Sequence, residues 1–168
     1  MMKSSCILFF FLSLLIVPLN GQTAQVSGSW IESGIKWTKP PAELQLKERS
    51  AEAGLLYFGP NNQFAFVYGT VIQGAKWETL SHGDGRVVYL GTWKLDGSTL
   101  RVEFRLVSRT VSKENETLPG PIEKRTIQLN GGVLLFESMR FRLDHRLDDQ
   151  LLAVFEGESA RLRDGGQH

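Results

Sequence analysis

Residues 86–111 read RVVYLGTWKLDGSTLRVEFRLVSRTV, and this stretch decides the fold class. The pair Asp96-Gly97 separates two runs in which apolar and polar residues alternate. Asp-Gly between alternating runs is the strongest short-range hairpin signal, because both turn positions need φ > 0. Val87, Tyr89, Trp93 and Leu95 share one face of the first run, and Leu100, Val102, Phe104 and Leu106 one face of the second. Arg86, Thr92, Lys94, Arg101, Glu103, Arg105 and Arg109 fall between them. A period of two, with one dry and one wetter face, describes an antiparallel sheet.

The same rhythm extends in both directions. Upstream, residues 55–58 and 64–72 flank Gly59-Pro60-Asn61-Asn62-Gln63, a run of turn formers. Phe64, Phe66, Tyr68 and Ile72 alternate with Ala65, Val67, Gly69 and Val71, so this strand is apolar on both faces and must be central or covered outside. Downstream, residues 122–129 and 133–143 pair around Asn130-Gly131-Gly132. Before all of these, residues 25–37 form a strand with a bend at Gly34, ended by Pro40-Pro41. Residues 42–53 read as a short strand, with a helix opened by Pro41 and closed by Gly54 as the alternative. Residues 148–156 are either a closing strand or a terminal helix over one barrel end, and residues 159–168 a polar, frayed tail. The polar stretch 112–121 is the longest loop; its Asn115-Glu116-Thr117 sequon matters only in a eukaryotic secretory pathway.

About eight to ten short strands at regular spacing, with no long helical period, predict an all-β chain. The expected architecture is an antiparallel up-and-down barrel, or else a sandwich, with a short terminal helix. Closure is favoured because a long open edge invites aggregation.

Lys3, the apolar run 7–17 and the small residues Gly21 and Ala24 describe a signal peptide over residues 1–24, cut after Gly21 or Ala24. The run is too short to span a bilayer, so no transmembrane anchor is expected. Cys6, the single cysteine, would leave with this segment, so the remainder has no disulfide, thiolate or cysteine ligand. A cysteine-free exported domain points to a bacterial periplasm or medium. With Lys3 gone, basic and acidic side chains balance, which argues against a nucleic-acid partner. The barrel domain is then residues 25–158.

Gly28-Ser29-Trp30 resembles the G-x-W signature that opens the first strand of lipocalins. Leu56-Tyr57-Phe58, Asn61-Asn62-Gln63-Phe64 and residues 91–100 (GTWKLDGSTL) are similar to pieces of bacterial lipocalin-like (calycin-type) envelope proteins. The resemblance implies a small barrel that holds an apolar ligand.

The chemistry-bearing residues are sparse. His82 near Asp84, and His145 near Asp148 and Asp149, lack the spacing of a metal site. The glycine-rich turns open no helix and cradle no phosphate. No G-x-S-x-G elbow occurs, though a dispersed Ser-His-Asp triad stays open. Glu103, Arg105, Glu137, Arg140 and Arg142 are either a polar interior or outer-face ion pairs. No catalytic, metal or cofactor site is therefore expected. The expected function is a non-catalytic exported binding module for a small apolar ligand, lined by Trp93, Tyr89, Phe64, Phe66, Tyr68 and Phe104. The alternative is an envelope protein-interaction module with a packed interior. A barrel-type isomerase stands third. The discriminator is whether the barrel is hollow, because small barrels occur both ways.

Overall fold

The computed structural model describes residues 26–37, 49–73, 78–80, 85–97, 99–111, 114–117 and 120–164. The signal segment with Cys6, most of residues 42–53, Trp77, His82, Asp84 and residues 165–168 lie outside them. The strands are β1 (Gly28–Glu32), β2 (Arg49–Phe58), β3 (Gln63–Gln73), β4 (Glu78–Leu80) and β5 (Val87–Asp96). They continue as β6 (Thr99–Val111), β7 (Glu114–Thr117), β8 (Glu123–Asn130), β9 (Val133–Phe136) and β10 (Met139–Leu143), followed by helix α1 (Asp148–Asp164). All pairings are antiparallel, and β1, β2, β3, β5, β6, β8, β9 and β10 close on themselves as an eight-stranded up-and-down barrel. Strand β4 extends the sheet beside the end of β3, and β7 beside the end of β6.

The organising hairpin forms, with its turn one residue later than the sequence suggested. Asp96 pairs with Thr99, Leu95 with Leu100 and Trp93 with Val102, so the chain turns after Asp96, from Gly97. Gly97 supplies the positive φ of 61°, and Asp96 stays in the strand.

Two apolar clusters show why so much of the chain is hydrophobic. One is the barrel interior: Trp30, Leu56, Phe58, Phe64, Trp93, Leu100, Val102, Phe104, Ile127, Leu134, Phe136 and Phe141. The other lies outside the wall, where Ile31, Leu55, Ala65, Val67, Val88 and Leu90 pack beneath Leu147, Leu151 and Val154. Strand β3 is apolar on both faces because α1 covers its outer one. The helix therefore lies along the side of the barrel, not over an end. It also runs through Ser159 to Asp164, into the stretch read as a frayed tail.

Five local readings change. The outer face of β5 is dry at Val88 and Leu90, because the helix reaches it. Arg86, placed by alternation on the wet face, is buried against Glu158. A bulge lets Val107 slip between the partners of Val88 and Tyr89, and it joins the cluster beneath the helix. Residues 133–143 are two strands rather than one, folded at Glu137-Ser138 where Glu137 takes a φ of 54°. Within the stretch read as a loop, 112–121, Glu114–Thr117 is a strand that pairs with Ser108–Val111.

Helix α1 is fixed near both its ends. Asp148 and Asp149 stand in its first turn and Arg161 and Arg163 in its last, matching the helix dipole. Asp148 Oδ1 accepts the Ser29 amide at 2.7 Å. Near the other end, Glu158 Oε1 meets Arg86 Nη2 at 3.1 Å and Arg161 Nη1 at 3.1 Å.

Candidate functional site

The two barrel ends differ. The turns at 59–62, at Gly97 and at 131–132 gather at one end. That end is sealed by indoles. Trp93 Nε1 donates to the Gly59 carbonyl at 3.1 Å, and Trp30 Nε1 to the Val26 carbonyl at 2.9 Å. Strands β1, β3 and β6 finish at the other end, where β4 and β7 stand beside the long strands β3 and β6.

Between these ends runs a ladder of rings. Phe58 meets Trp93 at 5.8 Å and Phe64 at 5.3 Å; Phe64 meets Phe104 at 5.7 Å. Phe104 meets Tyr89 edge-on at 5.8 Å and Phe136 at 5.9 Å. Phe66 stacks on Tyr89 at 5.6 Å and 22°, and meets Phe136 at 5.4 Å. Each such pair contributes about 0.5–1.5 kcal/mol beyond its buried area. Strands β3 and β9 are four positions apart around the closed sheet, so the Phe66–Phe136 contact spans the barrel. The sealed half is packed with side chains at this level.

All six residues expected to line a ligand site face inward, in two different settings. Trp93, Phe64 and Phe104 are buried in the ladder. Phe66 and Tyr89 are half-buried, and Tyr68 is 39% exposed towards the open end. Solvent therefore reaches the inner face of β3 and β5 at Phe66, Tyr89 and Tyr68, and a cup here would have the two half-buried rings as its floor and Tyr68 on its wall. Met139 is a half-buried member of the same cluster. Phe58 and Phe136 belong to the ladder and were not picked out from sequence. Their inward positions in the period-two pattern were the available signal.

Polar groups surround the cup. Glu32 Oε2 accepts the Gly54 amide at 2.9 Å, and Glu52 Oε1 accepts the Thr70 hydroxyl at 2.6 Å. Both carboxylates sit on inward positions of their strands, alternate to Ile31 and to Ala51 and Ala53. Arg125 meets Glu123 at 2.6 Å and Glu137 at 3.6 Å. Glu103, Arg105, Arg140 and Arg142 take outward positions instead, and Glu103 pairs with Lys124 at 3.0 Å. His145 Nδ1 lies 2.9 Å from Asp148 Oδ2, at the sealed end. Among the described residues no three His, Cys, Asp or Glu side chains gather as metal ligands would. Among the same residues no helix is long and apolar enough to cross a membrane.

No family model, curated protein or solved structure matches this chain.

Proposed function

We propose that this chain is an exported, lipocalin-like, non-catalytic binding module whose ligand site is the open-ended cup. The observation that carries the reading is the half-buried stack of Phe66 on Tyr89, beside exposed Tyr68, on inward faces of β3 and β5. Partly exposed rings in a concavity are the usual apolar lining of a small-molecule site. The G-x-W start, the closed meander and the helix along the wall support the lipocalin-like assignment. The Lys3 and 7–17 segment supports export. The packed ladder limits the ligand to a shallow seat above Phe66 and Phe136. Trp93 is then too deep to touch it.

Calorimetric titration with medium-chain alcohols, isoprenoids and porphyrins tests this reading. The expected result is one saturable site with Kd below about 0.1 mM, equivalent to roughly 5.5 kcal/mol, and its loss in Tyr68→Ala. No binding across that set overturns the cup.

The span of the barrel by Phe66 and Phe136 favours a second reading, an interaction module with a filled interior. Exposed Ile122, 67% accessible, would then belong to the contact surface. Under that reading Ile122→Ser abolishes association with the partner, and the apolar titrations are silent.

A further inference from the structure

The cup's charge specifies the kind of molecule it takes. On its inner surface Arg109 stands directly opposite Glu116 in register, and Arg125 is held between Glu123 and Glu137. These two described basic groups are thus set against carboxylates. Glu32 and Glu52 differ: the partners described for them are a backbone amide and a hydroxyl, both uncharged. They neighbour the rings directly. Along β2 and β3, Glu52 pairs with Thr70, Gly54 with Tyr68 and Leu56 with Phe66. Glu32 is bonded to that same Gly54. The two carboxylates therefore border Tyr68, one step above the aromatic floor.

A carboxylate pair beside exposed rings suits a cation. An ammonium group bonds to carboxylates and is also attracted to ring faces within about 6 Å. A fatty acid would bring its own carboxylate against the two glutamates and pay their repulsion. We propose that the cup binds a cationic amphiphile, an apolar chain ending in a protonated amine, with the amine between Glu32, Glu52 and Tyr68 and the chain on Phe66 and Tyr89. This rests on the cup being the binding site.

Dodecylamine, dodecanol and dodecanoic acid, each below its micellar concentration, test the point by calorimetry on the same protein. The amine should bind about tenfold or more tighter than the alcohol, since one added charged contact of roughly this strength is a tenfold step. The acid should bind weakest. Raising salt should weaken the amine and leave the alcohol unchanged. Glu52→Gln should narrow the amine-to-alcohol ratio several-fold by weakening the amine. Glu32→Gln keeps an oxygen for the Gly54 amide and should act the same way. Equal affinity for amine and alcohol, or tighter binding of the acid, overturns the cationic assignment while sparing the apolar cup. Silence with all three overturns both.

Discussion

The ring of Phe66 meets that of Phe136 edge-on, 5.4 Å between centroids and 77° between planes, although their strands stand on opposite sides of the barrel. A wall-to-wall contact of this kind separates the packed half from the inner wall that solvent reaches at Tyr68. Phe136 is 2% exposed, so truncating it leaves a void that the sheet cannot collapse to fill. Phe136→Ala should cost about 3–5 kcal/mol, read as a shift in denaturant midpoint. It should also deepen the cup and admit a longer alkyl chain. A cost below about 1 kcal/mol would mean that the two rings do not support each other.

Two glycines in the organising hairpin should respond differently. A Cβ on Gly91 would overlap the Glu103 carbonyl oxygen across the β5–β6 ladder. A Cβ on Gly97 meets nothing within 4 Å, and only its φ of 61° opposes substitution. Gly97→Ala should therefore cost about 1–2 kcal/mol, and Gly91→Ala clearly more. Thermal melting of both variants checks the order, and the reverse order would contradict the β5–β6 register.

That hairpin was legible because its evidence is local. Alternation placed Trp93, Phe104, Phe64 and Phe66 inward, and two apolar faces on β3 announced a cover. What covers β3 was not legible, because the outer cluster joins Leu151 and Val154 to strands about a hundred residues earlier. Arg86 shows the same limit. Alternation assigns it to water, and the Glu158 carboxylate that meets it in the core lies 72 residues further along the chain. The Val107 bulge and the Glu137-Ser138 fold break the period of two without a proline or glycine to mark them. The cup escaped for another reason. Six inward aromatics look alike in sequence, and their depth along the barrel depends on which end carries the tight turns.

Tyr57 should make alkaline stability diagnostic. It is 5% exposed beneath the helix. Burial, then the charges of Asp148, Glu156 and Asp149, raise its phenol above the ordinary value. The folded protein thus keeps this proton after the unfolded chain has lost it, at about pH 10. The contribution is complete below that pH and is lost as pH rises through the raised folded value. Denaturant midpoints measured from pH 8 to 11 should fall more steeply for the parent than for Tyr57→Phe. Parallel curves would show that the phenol does not titrate differently on folding.

On the outer wall Lys94 lies directly opposite Arg101, a like-charge pair relieved by Asp96 at 3.7 Å from Arg101. Both are exposed, so the repulsion is modest. Lys94→Glu turns it into a cross-strand attraction and should stabilise the hairpin by about 0.2–1 kcal/mol at low salt. The gain should fade as salt is added. A loss of stability would place the two side chains apart.

The helix depends on the buried pair of Arg86 and Glu158, whose side chains are 7% and 5% exposed. Burial pulls the Arg86 guanidinium below its ordinary value, and Glu158 pulls it back up. Such a pair gains little net stability over apolar residues, because desolvation cancels most of the attraction. Breaking it is different. Glu158→Leu removes the carboxylate that the buried guanidinium meets and should cost about 3–5 kcal/mol. Arg86→Met strands the carboxylate, which keeps the half-exposed Arg161 at 3.1 Å, so that loss should be smaller. The double variant leaves neither charge and should recover most of the stability lost by Glu158→Leu. Denaturant midpoints of the four proteins give the coupling, and additive losses would refute it. Hydrogen exchange should show the single Glu158 variant releasing the second half of α1 first. The Asp148–Ser29 contact still holds the first turn there.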